Sequence, residues 1–442
     1  MTGKLAVRDR IALLFDEGSF VEDGRCQGGV ITGRGAIDGR PAIVIADDPT
    51  GHEDAPDAPA VRKVARATES ALRDELPVFW FVDAGDEHSA DEVQFPPGRH
   101  DAGRVLRDQA ALSGRVAQIC CLFGPAGSQV FVPALADVVI MVDGSASMTL
   151  GGPGLAELVA GERVSLEELG GAHLHCAVSG TGDLLAPDDA EAIELARLYF
   201  SYVPSSWREP APAYLGEEPA ASLTEATVPA DESRPFDIHA VIDGVVDDGS
   251  FFELKPLFAP QLVIGYGRLD GRTTGIVANN SAAEGGVLCS DSADKAARFV
   301  RMCDAYGIPL VHLVDVPGFV VGSEAERGGI IRHGAKLISA VAAAAVPQLC
   351  VVVRRAYGAG GYAMCGPGLG AQATIALPTA RISGTAAHTA SAQAGPERPA
   401  PELIVDAVVD AADLRTELLR RLAYAGRRDR GAGARHRAIP PV

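Results

Sequence analysis

The chain has 442 residues, 47% hydrophobic and 22% charged, which is material for more than one packed core and excludes disorder as the main state. Its 39 Lys and Arg against 58 Asp and Glu leave a net charge of −19, the wrong sign for a protein that binds nucleic acid by neutralising phosphates. No membrane contact is expected either: the longest apolar stretch, residues 337–353, is broken at Pro347-Gln348, falls short of the ~20 residues a bilayer requires, and reads as a buried helix followed by a buried strand.

The opening MTGKLAVRDRIALLF has no apolar signal core and carries Asp9 and Arg10 where one would begin, so a cytoplasmic protein is expected. DEGSFVE (16–22) leads into GRGAIDGRPAIVIADD (33–48), two β-prone runs meeting at Asp38-Gly39, which predicts a hairpin with a type I′ turn. VRKVARATESAL (61–72) has a helical pattern and feeds the strand VFWFVD (78–83). QICCLF (118–123) is a second strand, running into a glycine-rich turn and a short apolar helix, and VVIMV (138–142) is a third.

The same order then recurs. DDGSFFE (247–253) precedes GYGRLDGRTTGIVANN (265–280) with its turn at Asp270-Gly271, then the helix DKAARFVRMCDA (294–305), the strand LVHLVD (310–315), the strand QLCVVV (348–353), a glycine-rich turn, and TIAL (374–377). Four of these segments match their first-half partners at offsets of 230–232 residues, so the chain holds two copies of one domain. The copies are assigned to residues 1–203 and 236–442. Residues 204–235, rich in Pro, Glu, Ala and Ser, read as an extended linker. Strands alternating with helices mean an α/β layered fold with largely parallel pairing.

GRGAIDG and GYGRLDG resemble a dinucleotide fingerprint only superficially, because a hairpin and not a helix follows each. GIIRHGAK (329–336) lacks the ending of a phosphate loop, and neither G-x-S-x-G nor H-E-x-x-H occurs. His173 and His175 have no carboxylate partner at a recognisable spacing and read as structural, and no metal is expected. The eight cysteines contain no C-x-x-C pair and read as buried small hydrophobes. What remains is the pair of strand–glycine-turn–helix units, FGPAGSQVF (123–131) and RAYGAGGYAM (355–364). Glycines there let backbone N–H groups crowd at a helix start, an arrangement that can hold a developing oxyanion.

These residues are similar to a known family. PALADVVIMVDG (133–144), GGPGLAELVAGERVSLEELGGAHLHCAVSG (151–180), FDIHAVIDGVVDDGSFFEL (236–254) and the run from LVIGYGRLDGR to YGAGGYAMCG resemble the carboxyltransferase β subunits of biotin-dependent acyl-CoA carboxylases, of the propionyl-, acetyl- and methylcrotonyl-CoA type. The resemblance implies two tandem crotonase-like (ClpP/crotonase) β-β-α superhelical domains. It implies transfer of the carboxyl group of carboxybiotin, carried by a partner, to the α-carbon of an acyl-CoA through a thioester enolate. Gly358, Ala359, Gly360 and Gly361 would hold the thioester oxygen, Ala126, Gly127 and Ser128 the biotin carbonyl, and Val316, Pro317, Gly318 and Phe319 the biotin-side wall. The implied partners are an acyl-CoA or acyl-carrier thioester and a biotin carboxylase/biotin carrier α subunit. The implied assembly is a hexamer whose sites form between the first domain of one subunit and the second domain of another.

The chain departs from the family pattern at residues 47–61, where the stretch is short and acidic, at 84–93, which lacks an arginine, and at Ser128, which replaces a glycine. After residue 383 tens of residues are absent. Two other readings therefore stand beside the carboxyltransferase: a biotin-independent malonyl- or methylmalonyl-thioester decarboxylase, acyl-transfer or C–C-forming enzyme, and a non-catalytic scaffold paired with an intact homologue. The basic run RRDRGAGARHR (427–437) reads as a solvated tail, with a docking or phosphate-contacting role as the alternative.

Overall fold

The computed structural model describes residues 4–24, 29–49, 58–84, 102–384, 404–425 and 436–441. It divides into two compact units, Met1–Pro210 with His436–Val442, and Ala211–Arg435.

In the first unit seven strands lie in the sheet in chain order: β1 (Val21–Asp23), β2 (Val30–Ile37), β3 (Arg40–Asp47), β4 (Val78–Val82), β5 (Gln118–Leu122), β6 (Val138–Val142) and β7 (Leu184–Ala186). β1, β2 and β3 are antiparallel, and β3 to β7 are parallel. The second unit repeats this with β8 (Phe252–Leu254), β9 (Leu262–Leu269), β10 (Arg272–Asn279), β11 (Leu310–Val316), β12 (Gln348–Tyr357), β13 (Ala373–Ala376), β14 (Arg381–Ser383) and β15 (Ala407–Val408). Its path runs β8-β9-β10-β11-β12-β13-β15, with β14 beside the far end of β12. β4, β5, β6 and β11 are buried along their whole length, as strands covered on both faces are, which is why they read as unbroken apolar runs.

Crossover helices connect the parallel strands where the sequence pattern places them, Ala58–Asp74 before β4 and Ser290–Tyr306 before β11. The stretch 337–353 divides into the end of a helix, Ile330–Ala343, and the start of β12. Both hairpins turn as expected. Asp38 and Gly39 have φ of +51° and +76°, and Asp270 and Gly271 +52° and +71°, the double positive φ that a type I′ turn requires.

The repeated D-x-G-S-F motif explains itself here. The Asp16 carboxylate accepts from the turn amides of Asp38 (3.0 Å) and Gly39 (2.8 Å), and the Asp247 carboxylate accepts from those of Asp270 (3.0 Å) and Gly271 (2.7 Å). Ser19 and Ser250 accept from the amides of Ala36 and Arg268.

The stretch read as a linker is divided between the units. The Trp207 amide donates to Arg115 O at 2.8 Å in the first unit, while Leu223 and Val228 are buried in the core of the second. Two apolar anchors within a polar, proline-rich segment suffice to lay it on a surface without regular structure. The terminal residues 436–441 return to the first unit, where the Ile439 amide donates to Ser113 Oγ (2.9 Å) and Ser113 Oγ donates to Ile439 O (3.0 Å). Among the described residues no helix is long and apolar enough to cross a membrane.

Candidate active site

In the second unit the carboxyl ends of β11 and β12 lie side by side, with Val316 opposite Ala356. β11 runs on into Pro317, Gly318 and Phe319, and β12 into the short helix Gly358–Ala363. The structure therefore brings together two of the three groups singled out from sequence. A Cβ on Gly360 would lie 2.9 Å from Gly318 Cα and 3.0 Å from Val316 Cγ2, so only glycine lets the turn approach the wall this closely. Gly358, Ala359 and Gly360 are the first three residues of this helix, so their amides have no intrahelical acceptor, while Gly361 is its first intrahelical donor. The wall is pinned: the Leu288 amide donates to Gly318 O (3.1 Å) and the Val320 amide to Leu288 O (2.9 Å).

Beneath this turn lies a charged cluster that sequence reasoning did not single out. Asp315, one residue before the wall and fully buried, accepts from Arg354 Nη2 (2.8 Å), Arg354 Nε (3.2 Å), Arg355 Nε (2.7 Å) and Arg355 Nη2 (3.1 Å), and from the Arg355 amide (3.2 Å). Burial by itself would raise the Asp315 carboxyl, but the bonds from Arg355 and Arg354 outweigh it and hold the group below the usual carboxylate range. Tyr357, which opens the glycine helix, donates to Glu232 Oε2 at 2.8 Å; burial and this carboxylate push its phenol up.

The first unit has the third group. There the Ala126 amide donates to Ser147 O (2.8 Å), so among Ala126, Gly127 and Ser128 only the last two amides lack an acceptor among the described residues. Gly127 has φ +53° and opens a single 3₁₀ turn, Gly127–Gln129, where the second unit has a longer helix. Below it Asp83, matching Asp315 in the repeat, bonds to Lys4 Nζ (3.1 Å) and Arg10 Nη1 (2.9 Å), and Arg10 Nε reaches Asp189 (2.7 Å). The match of VFWFVD with LVHLVD, with its aspartate at the end of each strand, was the signal that could have found both carboxylates.

Other residues read from the sequence lie apart from these turns. Cys120, Cys121, Cys176, Cys303, Cys350 and Cys365 are buried, and burial pushes the Cys365 thiol up to about 12, so it does not ionise near neutrality. Cys289 caps the helix Ser290–Tyr306, and Cys26 lies outside the described residues. His175 is held between Ser179 Oγ and Met148 O, each at 2.8 Å. The departures at 47–61 and 84–93, the segment after 383 and the basic run 427–437 fall largely outside the described residues.

The family model described as the carboxyl transferase domain matches residues 1–393. The uncharacterized carboxylase YngE of Bacillus subtilis is 44% identical over 460 residues, covering 95% of this chain and 90% of its own. The methylmalonyl-CoA decarboxylase subunit alpha of Veillonella parvula is 34% identical over 478 residues, 99% of this chain and 93% of its own. An alignment of 478 positions against a chain of 442 leaves at least 36 positions of that relative without a counterpart, in keeping with the shortening read from the sequence. The biotin-dependent acetyl-/propionyl-coenzyme A carboxylase beta5 subunit of Mycobacterium tuberculosis is 37% identical over 408 residues, 86% of this chain and 74% of its own. Among solved structures, the transcarboxylase 12S hexamer with hydrolysed methylmalonyl-coenzyme A bound superposes with a TM-score of 0.90 at 35% identity, covering 99% of this chain and 93% of that one.

Proposed function

The chain belongs to the carboxyl transferase domain family, with its crotonase-like fold, and from that premise we propose that it is the carboxyltransferase β subunit of a biotin-dependent acyl-CoA carboxylase. We place it in the cytoplasm, in a hexamer, working with a biotin-carrying α subunit on an acyl-CoA. Carboxybiotin on the partner supplies the carboxyl group. No metal is required by this chemistry.

The observation that carries the reading is the second-unit turn: the opening amides of a glycine helix, which have no intrahelical acceptor, set against a wall so close that a single Cβ on Gly360 would fill the gap. Such donors are fixed before the reaction, so no reorganisation is needed as the charge develops. Within the 358–361 turn, the opening amides of Gly358, Ala359 and Gly360 hold the thioester oxygen of the acyl-CoA. As the α-carbon gives up its proton, the electron pair delocalises onto that oxygen and the turn stabilises the charge. The α-carbon then bonds to the carboxyl carbon, whose bond to the carrier's ureido nitrogen breaks, and the proton ends on that nitrogen. Val316, Pro317, Gly318 and Phe319 form the wall on the biotin side, and the amides of Gly127 and Ser128 in the first unit face the biotin carbonyl. Each of the two units supplies one such turn.

A second reading is supported by the relative from Veillonella parvula, a methylmalonyl-CoA decarboxylase subunit. The same turn then stabilises the enolate left when the carboxyl group departs. Carboxyl release from malonyl-CoA and methylmalonyl-CoA, followed by mass spectrometry with and without a biotinylated carrier, separates the two. Release only with biotin supports the carboxyltransferase, release without it supports the decarboxylase, and no release favours a scaffold. Gly360→Val tests the turn itself. A loss of about 10²–10³-fold in kcat is expected with the fold intact by circular dichroism, and unchanged turnover removes the turn from the mechanism.

A further inference from the structure

We propose that Asp315, Arg354 and Arg355 form a brace that holds surplus positive charge beneath the 358–361 turn and fixes the turn against the Val316–Gly318 wall, making these three positioning residues for the anion that forms there. The proposal rests on the reading of the turn given above.

The charge count is the first observation. One carboxylate meets two guanidiniums, with side-chain exposures of 0% for Asp315, 0% for Arg354 and 11% for Arg355. The remaining contacts of the arginines are neutral. Arg355 Nη2 donates to Gly285 O (2.8 Å), Arg354 Nη1 to Arg234 O (2.7 Å) and Asp231 O (3.1 Å), and Arg354 Nη2 to Ser281 Oγ (3.1 Å). No second carboxylate bonds to either arginine: Glu232 pairs with Arg381 at 2.9 Å, and the Asp231 carboxylate, in solvent, accepts from Ser233 and meets Arg354 only through space. One positive charge has no bonded counter-ion.

A buried charge without a partner costs folding free energy, so a fold that carries one beside a reactive turn points to a use for it. An anion forming on the thioester oxygen is the partner that chemistry would provide. A charge held within the protein acts over several ångströms more strongly than it would in bulk water.

Attachment is the second observation. The Asp315 amide donates to Asn279 Oδ1 (3.3 Å) while its carboxylate takes both the side chain and the amide of Arg355. Arg355 stands three residues before Gly358 and Asp315 one before Val316, so a single carboxylate joins the strand entering the turn to the strand entering the wall. Removing it frees one lip to move against the other.

The test uses the full chain with a biotinylated carrier, propionyl-CoA as substrate and methylmalonyl-CoA for the reverse direction. Arg355→Gln keeps hydrogen-bonding ability and removes the charge. It should lower kcat about tenfold, equivalent to ~1.4 kcal/mol, with KM within about twofold, and Arg355→Lys should recover most of the loss. Calorimetry supplies a readout that simple loosening would not give. Arg355→Gln should lose about tenfold more affinity for a nitronate analogue of propionyl-CoA, an enolate mimic, than for neutral S-propyl-CoA. Equal weakening toward both ligands, or an unchanged kcat, overturns the proposal. If Gly360→Val retains turnover, the reading of the turn fails first; if it abolishes turnover while Arg355→Gln is silent, only the brace is refuted.

Discussion

The two units solve one problem with different residues. Each ends its second parallel strand in a buried carboxylate, Asp83 after β4 and Asp315 at the end of β11. Each fixes that residue's amide with the side chain that ends the preceding strand, Asp47 Oδ2 at 3.2 Å and Asn279 Oδ1 at 3.3 Å. The cation differs. In the first unit it comes from Arg10 on the helix Val7–Leu14; in the second it comes from Arg354 within β12. At the repeat offset Val241 stands where Arg10 does, and Gly124 stands where Arg354 does. A Cβ at Gly124 would lie 2.2 Å from Asp83 Oδ1, so no arginine fits there. The duplication has kept the carboxylate and moved its counter-charge from a helix to the strand that feeds the glycine turn. Only in the second unit does the cation lie on the path to the candidate oxyanion.

The largest expected effect comes from deleting either carboxylate. Asp315→Ala leaves two buried guanidiniums and Asp83→Ala leaves Arg10 with only Asp189, and breaking a buried pair in this way costs ~3–5 kcal/mol. The loss should be smaller in the first unit, where Asp189 still answers Arg10 and Lys4 is partly solvent-exposed. Urea unfolding followed by hydrogen exchange resolved to each unit would measure both, because two units need not unfold as one. Equal losses would mean that the surplus charge of the second unit has no energetic consequence.

A smaller contrast is expected at the hairpins. Asp16 and Asp247 make the same pair of bonds to a type I′ turn, but the Asp247 side chain is 4% exposed and also takes Arg415 at 2.7 Å, whereas Asp16 is 35% exposed. Solvent already satisfies part of what Asp16 needs. Asp247→Ala should cost ~2–3 kcal/mol and Asp16→Ala ~1 kcal/mol, read from the same exchange experiment. The reverse order would show that burial does not set the worth of this contact.

Much of this was legible in the sequence because it is written in periodicity. Unbroken apolar runs gave the parallel strands, Asp-Gly pairs the hairpins, and the constant offset the two copies. The glycine turns were legible because few residues other than glycine allow amides to crowd together. The cations were not. Arg10 and Arg354 are not equivalent in the repeat, and neither stands at a spacing that predicts its partner, since a contact across a parallel sheet or from a helix to a strand end has no short-range pattern. Leu223 and Val228 were hidden for a similar reason: composition describes a segment's average, while docking depends on two side chains.

The repeat also predicts a difference in pH response. Arg8 Nη1 bonds to Glu22 at 2.9 Å, tying the first helix to β1. At the repeat offset His239 Nε2 meets Glu253 at 2.8 Å, tying the corresponding helix to β8, while Nδ1 meets Asp237 at 2.6 Å. With a carboxylate on each ring nitrogen the imidazole must donate twice, which only the protonated ring can do. Glu253 is the main cause, opposed by partial burial and aided by Asp237, and together they raise the His239 pKa from 6.5 to about 9. A folded-state pKa above the unfolded one means that the contribution is complete below about pH 6.5 and is lost as pH rises through about 9. Arg8 stays charged throughout that window. Between pH 7 and 9.5, hydrogen exchange corrected for its intrinsic pH dependence should quicken at β8 and not at β1. His239→Arg should abolish the change, and Arg8→His should transfer it to β1. If β8 is indifferent to pH while His239→Arg is neutral, the tie is held by hydrogen bonding that survives deprotonation, and the pairing with Arg8–Glu22 is geometric without being electrostatic.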